Sequence, residues 1–130
     1  MREIKFRGFN RKNNVWLYGF YLQNRGAHFV CPDEFATGKS WDDYEIDPET
    51  FGQFTGLKDK NGVEIYEGDV VETVIGGCRY VQEVVWSDFV IGFSFRGHGC
   101  GPMFHESSCI EVIGNIYDNP ELLKLYVPQK

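Results

Sequence analysis

The sequence predicts a mainly β fold, and three observations carry that expectation. Its 130 residues include 15 glycines and are 16% aromatic, and the two kinds interleave as strands and tight turns require. Short runs with period-two alternation recur along the chain, separated by turn residues. Residues 55–71, TGLKDKNGVEIYEGDVV, hold two turns with extended sequence on either side of each. In the first of these, Asp59 opens the turn and Gly62 stands where the backbone needs positive φ; in the second, Glu67, Gly68 and Asp69 play those parts.

Taken in order, residues 2–10 alternate, with Ile4, Phe6 and Gly8 on one side and Lys5 and Arg7 on the other. That is a half-buried strand with its basic side chains outward. Residues 11–14 are a polar turn, and VWLYGFYL over 15–22 completes a hairpin, with Gly19 marking a bulge or a close backbone approach. A turn at 24–26 leads to a short strand over 27–31 that Pro32 stops. Residues 32–50 are acidic and aperiodic: an irregular surface loop, pinned by Phe35, Trp41 and Tyr44, with one brief strand at 44–46. Residues 51–56 lead as a strand into the central turns.

Residues 70–75 and 78–86 form a second hairpin across Gly76 and Gly77. Phe89, Ile91, Phe93 and Phe95 alternate as the aromatic face of a further strand, and residues 97–102, GHGCGP, form a loop. Residues 109–116 are the closing strand. Asn119 then caps a short helix over 120–126 with Pro120 at its first position and Glu121 at the positive end of its dipole; Pro128 ends it. The count is about eight or nine strands and one terminal helix. Residues 63–74 also have the pattern of the turn that opens small SH3-like barrels. They lack the paired aromatics with which signalling SH3 domains grip proline-rich peptides, so architecture carries no function here.

Three blocks resemble one family. Residues 55–62 (TGLKDKNG) with 65–71 (IYEGDVV) are similar to the shared core of the YopX-like proteins of phages and prophages. Residues 2–9 (REIKFRGF) resemble that family's start, and residues 112–123 (VIGNIYDNPELL) its end. The blocks span nearly the whole chain in the expected order, which is more specific than any one of them. The resemblance implies a β-rich phage protein ending in a small SH3-like barrel, and it implies no activity. By length and pattern the chain is one domain, 1–130, with an N-terminal β lobe over about residues 1–54 and a barrel with terminal helix over about 55–130.

A net charge of −6 argues against broad nucleic-acid binding, which needs basic surface. No apolar run approaches a membrane span, and the charged start MREIKFRGFN is unlike a signal peptide, so the expected location is the cytoplasm of a bacterial host, with no membrane partner. The charges are nonetheless segregated. Arg2, Lys5, Arg7, Arg11, Lys12 and Arg25 lie in a first segment whose only acid is Glu3; Asp33, Glu34, Asp42, Asp43, Glu45, Asp47 and Glu49 follow against Lys39 alone. Either the two regions neutralise each other, within one chain or between copies, or Lys5, Arg7, Arg11 and Lys12 contact phosphates. A homo-oligomer, most simply a dimer using the N-terminal hairpin, is the expectation, together with an unidentified protein partner; nucleic acid is the less favoured partner.

No catalytic set emerges, and no cofactor is expected. Asp59, Glu64, Glu67 and Asp69 resemble a carboxylate site, but Asp59 and Asp69 have turn duties that explain them through side-chain to backbone hydrogen bonds. His98, Cys100, His105 and Cys109 are metal-ligand types within twelve residues, weak candidates because their spacing matches no zinc pattern of two tight pairs. The ordinary reading of each cysteine is a reduced, packed thiol. Trp16, Tyr18, Tyr21, Trp41, Trp86 and Phe89 could include stacking platforms, although most aromatics in so small a domain must build its core.

Overall fold

The structure, a computed structural model, describes residues 4–32, 38–75, 77–88, 92–97, 101–102 and 109–124. The chain forms two compact units, Met1–Phe54 and Thr55–Lys130. Both are built of antiparallel strands, so the mainly β expectation holds.

In the first unit, β1 (Phe6–Asn10), β2 (Val15–Asn24), β3 (Ala27–Cys31) and β4 (Asp47–Lys58) form a sheet in the order β3-β2-β1-β4. The β1–β2 ladder pairs Phe6 with Gly19 and Asn10 with Val15. The β2–β3 ladder pairs Phe20 with Cys31 and Asn24 with Ala27. Gly19 is a close approach, as its place in the pattern suggested: a Cβ there would lie 1.9 Å from the Cys31 carbonyl oxygen.

Three features of this unit differ from the sequence reading. Arg7 is not outward but buried, at 5% exposure, with its guanidinium 4.9 Å from the centre of the Trp16 ring. The alternation misled because both sides of β1 are covered: Trp16 lies over Arg7, and Ile46 packs where a Gly8 Cβ would be, so Gly8 is buried as well. Second, β4 begins at Asp47, inside the segment expected to be loop. The β1–β4 register slips between Arg7 and Phe9, which face Gly52 and Asp47, so Pro48 falls in a bulge and gives up no ladder hydrogen bond. The Thr50 hydroxyl fills the gap, accepting from the Phe9 N–H at 2.8 Å. Third, Trp41 is 57% exposed on a one-turn 3-10 helix, Trp41–Asp43, and meets only the edge of Phe29 among the described rings; Tyr44 and Ile46 are the buried anchors. Phe35 lies outside the described residues.

The brief strand expected near 44–46 is present as a bridge between Phe29 and Glu45, with hydrogen bonds from Val30 N–H to Tyr44 O and from Ile46 N–H to His28 O. It covers the open edge of β3, a position that would otherwise invite strand addition.

In the second unit, β5 (Glu64–Tyr66) lies beside the end of β4, and β6 (Asp69–Ile75), β7 (Cys78–Ser87), β8 (Gly92–Gly97), β9 (Gly101–Pro102) and β10 (Ile110–Asn115) form a sheet in the order β10-β6-β7-β8-β9. Its core is Ile65, Val71, Val84, Phe95 and Ile110, with Leu57, Phe93, Cys109 and Val112 packed around them. Gly101 and Pro102, expected in a loop, pair with Phe95 and Ser94; two residues suffice to extend a hairpin edge where Pro102 need not donate. Phe89 and Ile91 lie outside the described residues. Asn115 ends β10 by accepting from the N–H groups of Tyr117 and Asp118, and α1 (Glu121–Lys124) follows, with Leu122 over Gly114.

Gly62 and Gly68 have φ of +83° and +93°, as the turn reading required. Gly62→Val and Gly68→Val should each cost about 1–3 kcal/mol, since a β-branched side chain resists that backbone. Lys60→Ala, which removes an exposed ion pair with Glu111 and the smallest of the contributions that lower the Asp59 carboxyl, should change stability by about 0–1 kcal/mol. Urea unfolding of the three variants checks both statements. Glycine variants as stable as the parent would contradict the turn assignment.

Candidate functional site

Among the described residues of the second unit, the central turns gather a dense set of side-chain to backbone hydrogen bonds. Asp59 is 5% exposed. Its Oδ1 accepts from the N–H groups of Asn61 (2.8 Å) and Val63 (2.9 Å), and its Oδ2 from Val112 (2.9 Å), 53 residues away on β10. Next to it, the Lys60 N–H donates to Ile110 O at 3.0 Å. The turn therefore clips the outer edge of β10. Burial pushes the Asp59 carboxyl up, but the N–H donors of Val112, Val63 and Asn61, with the Lys60 charge, outweigh it and hold the group below the ordinary aspartate value.

Asp69, 1% exposed, accepts from the Tyr66 N–H at 2.7 Å through Oδ2. Gly68 donates to Val84 O at 2.8 Å and accepts from the Ile116 N–H at 2.9 Å. Asp59, Gly62, Gly68 and Asp69 thus tie β5, β6, β7 and β10 together. Each carboxylate is engaged by backbone donors, a geometry that stabilises a fold and leaves little freedom for proton transfer.

The basic residues proposed for phosphate contact lie in the first unit. Arg11 pairs with Asp47 through Nε at 3.0 Å, and Lys12 with Asp42 at 3.1 Å and Asp43 at 2.9 Å. Lys5 lies over Phe54, its Nζ 5.2 Å from the ring centre. Arg7 is buried against Trp16. The charge segregation along the chain is thus met within one subunit, by ion pairs between the hairpin turn and residues 42–47. Hydrogen bonds reinforce the join: Asn10 Nδ2 donates to Asp42 O and Glu45 O, and Asn13 Nδ2 to Asp43 Oδ1. The carboxyls of Asp42, held first by Ser40, and of Asp47, held first by Arg11, are lowered accordingly. Between them lies a shallow groove of about 430 Å³ lined by charges of both signs, with Ile46 and Pro48 as its apolar part.

Of the proposed metal ligands, His98, Cys100 and His105 lie outside the described residues. Cys109 is half-buried and packs on the second unit's core. Among the described residues, no group of three His, Cys, Asp or Glu side chains is placed to hold a metal ion, and no helix is long and apolar enough to cross a membrane.

Among the described residues, the first sheet carries a run of exposed apolar side chains. Along β2, Tyr18, Phe20 and Leu22 are 49%, 42% and 36% exposed, an unbroken alternate row of large apolar side chains on one sheet face. Leu22 pairs with Phe29 on β3, whose ring is met edge-on at 5.5 Å by the exposed Trp41. The opposite face of β2 puts Tyr21 among Phe51 (4.6 Å between ring centres), Phe6 and His28. Sequence reasoning singled out Tyr18 and Trp41 as possible platforms but missed Phe20 and Leu22. Both faces of VWLYGFYL are apolar, so alternation shows which residues share a side and not which side is wet.

The family model for YopX protein matches residues 5–124. No curated protein sequence matches the chain. Among solved structures, the chain is similar to the crystal structure of protein EF1440 from Enterococcus faecalis, at 28% identity and a TM-score of 0.59, over 95% of this chain and 99% of that one.

Proposed function

This chain belongs to the YopX protein family, and from that premise we propose that it is a non-enzymatic binding domain of phage or prophage origin, acting in the bacterial cytoplasm. Its docking face is the row Tyr18, Phe20 and Leu22 with Trp41 beside it. The observation that carries this reading is the exposure of three large apolar side chains in a row on one strand, with exposed Trp41 on the neighbouring 3-10 helix, where a solitary domain would place polar residues. The engaged carboxylates of Asp59 and Asp69 favour binding over catalysis. The ion pairs of Arg11 and Lys12 favour protein over nucleic acid, because those cations already have carboxylate partners. An SH3-like barrel in the second unit, as the family resemblance implies, then serves as scaffold.

A neutral apolar dye that fluoresces when desolvated tests the face directly. The parent chain should bind it saturably, and the triple variant Tyr18→Ser, Phe20→Ser, Leu22→Ser should lose most of the signal while keeping its circular dichroism. Equal dye binding by both would remove the row as a docking face. A labelled single-stranded oligonucleotide should show no anisotropy change at low salt, where phosphate contacts are strongest. Binding there, abolished by Arg11→Glu with Lys12→Glu, would replace this reading with a nucleic-acid one.

A further inference from the structure

The row on β2 has a property that points to its occupant. It contains no charge, whereas the chain as a whole carries −6, so two copies repel at a distance and can meet only where the contact is locally neutral or complementary. The ends of the row differ in sign. Beyond Asn24, in the β2–β3 turn, stands exposed Arg25. Before Val15 lies the β1–β2 turn, where Asn13 holds Asp43 and Lys12 pairs with both Asp42 and Asp43. That end carries one more carboxylate than ammonium, and the Asp42 side chain is 57% exposed.

A strand that is apolar in the middle, positive at one end and acidic at the other is complementary to itself when reversed. We propose that the row Tyr18, Phe20 and Leu22 is the contact between two copies of this chain, related by a two-fold axis near Gly19, midway between Arg25 and the Lys12–Asn13 turn. The two β2 strands run antiparallel across the contact, so that Arg25 of each copy lies against Asp42 and Asp43 of the other. This is the isologous arrangement in which one patch serves both subunits. The apolar row supplies the attraction, and the charged ends fix direction and register. The inference rests on the row being a docking face, and it names what docks there. It also places the charge complementarity between copies at Arg25, since Arg11 and Lys12 are engaged within their own subunit.

Sedimentation equilibrium of the full chain, from micromolar to near-millimolar concentration, should show a monomer–dimer equilibrium. Phe20→Ser should leave a monomer with unchanged circular dichroism. Arg25→Glu and Asp42→Lys each place like charges at both ends of the contact and should each weaken the dimer about tenfold or more. Mixing those two variants restores attraction at both ends. One end then sets the introduced carboxylate against the introduced ammonium, and the other keeps the native pairing of Arg25 with Asp42. The heterodimer should therefore regain the parent's strength. A parent that stays monomeric while still binding the apolar dye would sink the second copy and leave the docking face standing. A parent that neither dimerises nor binds dye removes both. A dimer indifferent to Phe20→Ser, or a mixture no tighter than its components, overturns the proposed contact.

Discussion

Gly19→Ala should destabilise the chain by about 3 kcal/mol or more, the largest effect expected of any single added methyl group. The new Cβ would stand 1.9 Å from the Cys31 carbonyl oxygen, 2.6 Å from its carbon and 3.1 Å from Pro32 Cα. All three are backbone atoms, so no side chain can swing aside. β3 would have to move away from β2, breaking the ladder from Phe20–Cys31 to Asn24–Ala27 and loosening the cluster of Phe29, Cys31 and Tyr44. Urea unfolding should show a lower midpoint with an unchanged slope. A loss under about 1 kcal/mol would mean that the two strands do not approach this closely.

Asp59→Asn should cost about 3 kcal/mol at neutral pH, roughly 10 °C in melting temperature for a domain of this size. The amide retains one acceptor. If it serves Asn61 and Val63, its NH2 group faces the Val112 N–H, a donor against a donor, and β10 loses its clip. Asp59→Ala, which leaves all three N–H groups without the carboxylate, should cost as much or more. The pH dependence supplies a second signature. Asp59 titrates below its unfolded value of about 4, so its contribution is complete above that pH and is lost as pH falls from there through the folded value. The gap between parent and Asp59→Asn should therefore be constant from neutrality down to about pH 4 and close at lower pH. Asp42, Asp43 and Asp47 are lowered too, by Ser40, Lys12, Asn13 and Arg11, so both proteins keep a residual acid sensitivity. A gap that is the same at about pH 2 and pH 7 would show that the Asp59 charge is not what holds β10.

The role of Asp59 bears on what the family motif is for. Asp59, Gly62, Gly68 and Asp69 form the most recognisable stretch of the sequence, and what they do in the structure is close a strand edge and shape two turns. The candidate binding face lies elsewhere, on a strand whose sequence carries no signature beyond being apolar on both sides. Motif and surface are separate because a motif that fixes backbone geometry tolerates few residues, whereas a docking row needs only bulk and exposure.

The mainly β class, most of the strands, the turns at Asp59 and Gly68, the restriction at Gly19 and the family were legible from sequence alone; the start of β4 and the pairing of β9 were not. What was legible depends on local rules: side-chain period, the backbone freedom of glycine, and the short reach of an aspartate to N–H groups a few residues on. It took the packed fold to show that Arg7 is buried, that Pro48 lies within a bulged strand, that Lys12 meets Asp42 and Asp43, and that Tyr18, Phe20 and Leu22 face water. These depend on which element covers which face and on pairings between residues about 30 to 50 positions apart, as in Asp59 with Val112. Alternation in a chain this rich in aromatics leaves both faces of a strand equally apolar, and the choice between them belongs to the packing.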